Sequence, residues 1–167
     1  MTELETQIAD NRASVDAFIA TARAIDAAGW TTPRAQGAWC PGQIVEHLAR
    51  TYEYNRRVLQ GTAEGMPFPI SLLKPLIRRM VVDNTLRAGR FTRKGRAPAF
   101  FQPSAVPAAA PDVIARLADA VRGFEADLRS RPRSETIEHP VFGTVRTTDW
   151  VKLQAIHARH HRAQLPA

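Results

Sequence analysis

The 167-residue sequence predicts an all-α domain built as a bundle of four helices. Three observations predict it. Four segments repeat apolar residues every three or four positions, the stretches joining them are rich in Pro and Gly, and no alternating pattern of parallel strands occurs. With 44% hydrophobic and 23% charged residues the chain reads as one globular domain, 1–167, long enough to bury a sizeable core.

The first helix opens on Thr2 with Glu5 three residues later, a capping-box pattern. Leu4, Ile8, Val15, Phe18, Ile19, Ala22 and Ile25 then recur near helical spacing until Gly29. After the turn "GWTTPRAQGAWC", Cys40 caps a second helix with Pro41 at its first position, and Ile44, Leu48, Tyr52, Val58 and Leu59 carry the apolar stripe to Gly61. From Gly61 to Pro111 the chain holds seven of its twelve prolines around one basic helix, "ISLLKPLIRRMVVDNTLRA", and reads as a long crossover. Pro111 and Asp112 open a third bundle helix with Val113, Leu117, Val121, Phe124 and Leu128 on one face. "RPRSETIEHPVFGTVRT" reads as a structured loop or small hairpin, after which Thr147 or Thr148 caps the last helix.

The start, "MTELETQIADN", lacks the basic and apolar regions of a secretory signal, and no apolar run is long enough to span a bilayer. A cytoplasmic protein without membrane contact is expected. The single cysteine, Cys40, rules out an internal disulfide framework and cysteine-rich zinc modules, so a metal site here must use histidine and oxygen. No Gly-rich phosphate loop or strand-turn-helix nucleophile motif is present, which sets aside nucleotide-dependent enzymes and serine hydrolases.

Charge is concentrated. Lys74, Arg78, Arg79, Arg87, Arg90, Arg93, Lys94 and Arg96 face only Asp83, so this stretch accounts for the whole net charge of +7. A solvated basic face or a self-association surface is the favoured reading. Nucleic acid is disfavoured, because few aromatics are interleaved and no recognised module is present. Exposed apolar residues such as Phe100 and Phe101 suit a homodimer contact.

His157 and His161 stand one helical turn apart in "WVKLQAIHARHHRAQL" and share a face. On a helical wheel Trp150, Leu153, His157, His161, Gln164 and Leu165 fall within about 120° of arc, with Lys152, Arg159 and Arg162 outside it. His47 lies at the edge of the second helix's apolar stripe, so three imidazoles converge if the two helices pack together. Burying three rings without a ligand would cost about 1–3 kcal/mol for each orphaned nitrogen, which favours a shared divalent ion. Three neutral imidazoles would leave coordination positions open, as in a catalytic site.

Other residues have blander readings. His160 lies at the margin of the metal-facing stripe. Cys40 is read as a small buried or capping residue in preference to a reactive thiolate. Glu46 points some 100° away from His47 on an ideal helix and is expected in solvent. His139, before Pro140, is expected in a turn, and Asp149 complements the dipole of the last helix. Trp30, Trp39 and Trp150 are expected at the core or rim, with Trp150 as a candidate roof for the metal pocket.

The order of "GAWCPGQIVEHLA", a Pro-rich crossover and "EHPVFGTVRTTDWVKLQAIHARHHRAQL" resembles the DinB/YfiT-like superfamily over almost the whole chain, most specifically at its two ends. That resemblance implies a four-helix bundle in up-down-down-up order. It implies a three-histidine metal site, with His47 matching the early family histidine and His157 and His161 the closing HxxxH. "HPVFGTV" with Trp150 resembles the turn into the family's last helix, and Gln164 the Gln of its "HHxxQ" ending. It further implies a metal-dependent enzyme holding zinc, nickel or a similar ion that activates water or a low-molecular-weight thiol for transfer or hydrolysis. The basic crossover would then receive an anionic thiol. Cys40 stands where relatives often carry Ser or Thr, and the long crossover looks closer to a branch of unassigned function. The competing expectation is a non-catalytic binding or regulatory bundle that docks an acidic partner or nucleic acid through residues 74–96.

Overall fold

A computed structural model describes residues 2–65, 70–92, 97–131 and 135–166. The protein is mostly helical, with one small two-stranded sheet. Four long helices, α1 (Glu3–Arg23), α3 (Pro41–Leu59), α6 (Ala110–Ser130) and α7 (Thr147–Arg162), carry the core. The shorter α2 (Ala27–Thr31), α4 (Lys74–Arg78) and α5 (Asn84–Ala88) lie in the connections.

The apolar stripes read from the sequence are the faces that pack. α1 lies along α7, α3 along α6, and α1 also meets α6. Ile8, Val15 and Phe18 of α1, Val45, Leu48 and Tyr52 of α3, Leu117, Val121 and Phe124 of α6, and Trp150, Val151 and Ala155 of α7 are buried together. Each large apolar side chain removed from water here contributes about 1.5–3 kcal/mol. Polar ties fix the pairings: Tyr52 Oη donates to Asn11 Oδ1 (2.6 Å), and Arg12 makes a two-pronged contact with buried Glu125 (2.8 and 2.7 Å). On α7, Lys152, Arg159 and Arg162 point outward, and Arg159 reaches Asp10 of α1 at 3.0 Å.

Helix ends follow local chemistry with two departures from expectation. Thr2 Oγ1 accepts from the Glu5 amide as foreseen, and Gln43 Oε1 accepts from the Cys40 amide ahead of Pro41. The first helix, however, stops at Arg23, and Asp26 caps a separate turn, α2, by accepting from Gly29 N at 2.7 Å. Neither Thr147 nor Thr148 caps α7: Arg146 occupies the cap position without a side-chain bond, and the first helical amide, Thr147 N, donates to the Glu135 carbonyl (2.9 Å).

The segment before α7 is a hairpin. β1 (Thr136–His139) pairs antiparallel with β2 (Gly143–Arg146), placing buried Ile137 opposite buried Val145. Gly143 sits at φ +70°, where an L side chain would be strained. Residues 132–134, at the start of the expected hairpin segment, lie outside the described residues.

The basic helix of the crossover is a chain of short turns. A 3₁₀ turn (Ile70–Leu73) leads into α4, the backbone widens to i→i+5 turns over Arg79–Asp83, and α5 follows until Gly89 ends it at φ +64°. Val82 and Thr85 face inward, while Leu72, Leu73, Leu76 and Met80 are exposed. Beyond Ala99–Phe101 the chain becomes a strap across the start of α3. Trp30 Nε1 donates to the Ala108 carbonyl (3.0 Å), and Gln43 Nε2 donates to the Ser104 carbonyl (3.0 Å). A Cβ on Gly42 would lie 2.6 Å from both Pro107 and the Trp30 indole nitrogen, so α3 and the strap touch backbone to ring.

Candidate metal centre

α3 and α7 bring His47, His157 and His161 together. One ring nitrogen from each falls within 4.8 Å of the others. His47 Nε2 is 3.3 Å from His157 Nε2, which is 2.9 Å from His161 Nε2. His47 and His161 are buried and His157 keeps a partly exposed edge. Trp39 leans on His47 with ring centres 4.9 Å apart, and Phe91 stands 5.5 Å from His157.

The outer nitrogens decide the protonation of two rings. His47 Nδ1 lies 2.7 Å from the Phe101 carbonyl, which only accepts, so Nδ1 carries the proton and Nε2 a lone pair. His161 Nδ1 lies 3.0 Å from Gln164 Oε1, which orients its Nε2 lone pair inward in the same way. Gln164 Nε2 in turn donates to His160 Nε2 at 2.8 Å, so His160 faces away from the cluster centre. Burial lowers the pKa of all three rings. It does so for His47 against the pull of the Phe101 carbonyl, and pushes His161 down to about 3 with help from the neighbouring imidazoles. His157 is pushed well below its ordinary value by burial and then by the other rings. The trio is therefore neutral near pH 7, the state a metal requires.

Without a shared cation this arrangement is poorly matched. A single proton on His157 Nε2 serves one neighbour and leaves the other lone pair facing it. Nitrogens held at 2.0–2.1 Å around one ion stand about 2.9–3.3 Å apart, which is the spacing His157 keeps to both partners. The three nitrogens all lie within 4.8 Å of one another and form a donor set that could hold a divalent ion.

Around the trio, Glu46 corrects the expectation that it is solvated. It is 4% exposed, and its carboxylate accepts from Ser104 N (3.0 Å), Ser104 Oγ (2.9 Å) and Arg50 Nη2 (2.7 Å), with Arg116 at 3.9 Å. Burial alone would raise its pKa, but the Arg50 and Ser104 bonds reverse this and hold it low. Ser104 is three residues from Phe101, so this buried charge fastens the loop that orients His47. The i,i+4 spacing to Arg50 suits an exposed helix pair equally well, and Ser104, which covers the carboxylate, lies 58 residues away.

The other sequence candidates sit elsewhere. Cys40 is buried at the start of α3. Trp150 packs on Phe124 and His139, so the rings flanking the trio are Trp39 and Phe91. His139 is a buried hairpin anchor whose Nδ1 accepts from Val141 N (3.1 Å) and Phe142 N (3.3 Å). Of the basic stretch, Arg78 donates to the Thr144 carbonyl (2.9 Å), Arg79, Arg87 and Arg90 are exposed, and Arg93, Lys94 and Arg96 lie outside the described residues.

Among the described residues no helix is long and apolar enough to cross a membrane. Comparison with curated proteins and with solved structures gives no match. A model of a family described as "Protein of unknown function (DUF1569)" matches residues 9–167, nearly the whole of the polypeptide. The chain therefore belongs to the DUF1569 family.

Proposed function

We propose that this protein is a metal-dependent enzyme of the DinB-like kind, a single domain over residues 1–167. Its four long helices form a bundle in up-down-down-up order, and His47, His157 and His161 hold one zinc or nickel ion. The observation that carries this reading is the meeting of three oriented imidazoles, two of them with lone pairs fixed inward by Phe101 and Gln164. A bound ion supplies Lewis acidity, lowering the pKa of a water or a low-molecular-weight thiol for hydrolysis or transfer. The chain's own contribution is to keep three neutral nitrogens in register and to shield them with Trp39 and Phe91.

A second reading is favoured by the exposed Leu72, Leu73 and Leu76 beside Arg79: a binding bundle that docks an acidic partner through the crossover. Metal loading separates the two. The protein is incubated with Zn²⁺, desalted and assayed for metal beside His157→Ala. About one ion per chain in the parent and none in the variant is expected, followed by consumption of a small thiol in the presence of an electrophile by the loaded parent only. Equal metal in both proteins overturns the enzyme reading.

A further inference from the structure

Next to the histidines lies a second feature that the metal chemistry does not use. The turn between α2 and α3 and the end of α7 enclose a cleft of about 580 Å³. Its walls include Pro33, Pro41 and Leu165, and its size is that of a site for a small molecule. It shares two residues with the metal centre. Trp39 lines the cleft and leans on His47, and Gln164 lines it and bonds His161.

The polar side chains of this lining differ in what they have left to offer. Thr32 Oγ1 donates to the Ala28 carbonyl at 2.7 Å, and both ends of the Gln164 amide are engaged by His161 and His160. Arg34 is different. Its one hydrogen bond among the described residues is a long contact, 3.4 Å, from Nη1 to the Ala163 carbonyl, and no carboxylate among them lies within ion-pair distance of it. A guanidinium carries five N–H donors in a planar fork that fits a carboxylate with two parallel bonds. The cleft therefore presents one uncommitted cation in an otherwise apolar and internally satisfied surface. A single positive charge matches a monoanion, whereas a phosphate dianion would call for a second cation that the lining lacks.

We propose that this cleft binds a small monocarboxylate with an apolar body. Arg34 receives the carboxylate, and the body lies against Trp39 between Pro33, Pro41 and Leu165. That the bound acid is a substrate rests on the metal-enzyme reading. A ligand resting on Trp39 would touch the ring that leans on His47, which couples the cleft to the metal centre through that side chain. Binding itself needs only the cleft.

The test uses hexanoate and phenylacetate as probes, with hexanamide and hexylamine as uncharged and cationic counterparts, titrated calorimetrically into the full-length protein. The acids are expected to bind at least about tenfold more tightly than the amide. Arg34→Gln is expected to abolish that preference while taking up Zn²⁺ as the parent does. Arg34→Lys is expected to retain part of it, and Arg87→Gln, a control on the exposed crossover, all of it. Equal binding of acid and amide, an undiminished preference in Arg34→Gln, or its loss in Arg87→Gln overturns the proposal. Acid binding that persists in a protein whose metal content does not depend on His157 leaves the cleft intact and removes the enzyme reading. Metal uptake without acid binding does the reverse.

Discussion

Replacing Glu46 with Gln asks whether a buried carboxylate, through the strap it holds, also holds a metal ligand. Its oxygens accept from the amide and hydroxyl of Ser104 and from Arg50. A hydrogen bond to a charged group contributes about 1.5–3 kcal/mol. The Arg50 side chain is 32% exposed, so its share is screened toward the surface-pair range of ~0–1 kcal/mol, and Ser104 dominates. Gln keeps the shape, removes the charge and turns an NH₂ toward groups that are themselves donors. The expected loss is about 2–3 kcal/mol, which lowers Tm by roughly 4–12 °C in a chain of this length. Because the Phe101 carbonyl belongs to the same strap, Zn²⁺ affinity should fall about 10–100-fold, the usual effect of losing an outer partner of a ligating histidine. Thermal unfolding of the metal-free protein followed by circular dichroism reads the first effect, and competition against a chromophoric chelator the second. Ser104→Ala, alone and combined with Glu46→Gln, should be markedly non-additive. An unchanged Tm refutes the clamp. A lowered Tm with undiminished Zn²⁺ affinity refutes its link to His47.

Two further outcomes follow from packing and from titration. Gly42→Ala would gain up to about 1 kcal/mol from helix propensity, but its Cβ meets Pro107 and Trp30 at 2.6 Å, and the net result should be a loss of about 1–3 kcal/mol in urea unfolding. A gain in stability would show that the strap yields. His139 has its pKa lowered to about 3 by burial and, secondarily, by Lys74, from an ordinary 6.5. A group depressed in the fold contributes stability above its unfolded pKa and loses it as pH falls from 6.5 toward 3, which amounts to about 2 kcal/mol by pH 5. His139→Asn keeps an acceptor for the Val141 and Phe142 amides and should flatten that part of the stability-pH curve, and a curve identical to the parent's would count against the assignment.

The long helices were legible because their apolar residues repeat at helical spacing and because Pro41, Pro111 and Gly61 mark their ends. His157 and His161 were legible together for the same reason, since one turn separates them. His47 needed the added premise that two helices pack face to face. What stayed hidden was held by distant groups. Glu46 reads as solvated until the strap is in place, and the Phe101 carbonyl is a backbone atom with no sequence signature. Trp39 and Trp150 are indistinguishable by composition, and only the packing of α7 on Phe124 sends Trp150 into the core. The caps expected at Thr147 or Thr148 failed because the helix starts one residue earlier than the sequence suggests, with Arg146 at the cap and Thr147 N tied to the distant Glu135 carbonyl.

The crossover is tethered unequally along its length. Over residues 87–90, ahead of Phe91, it is exposed, so extra residues there would cost little beyond the slow growth of loop-closure entropy. Between Phe101 and Ala108 the backbone meets His47, Glu46, Gln43 and Trp30 in turn, at fixed intervals. Inserting one residue in that stretch would put every later contact out of step with its partner. Across divergent sequences of this family, insertions and deletions should therefore gather ahead of Phe91 and be purged from the stretch between Phe101 and Ala108.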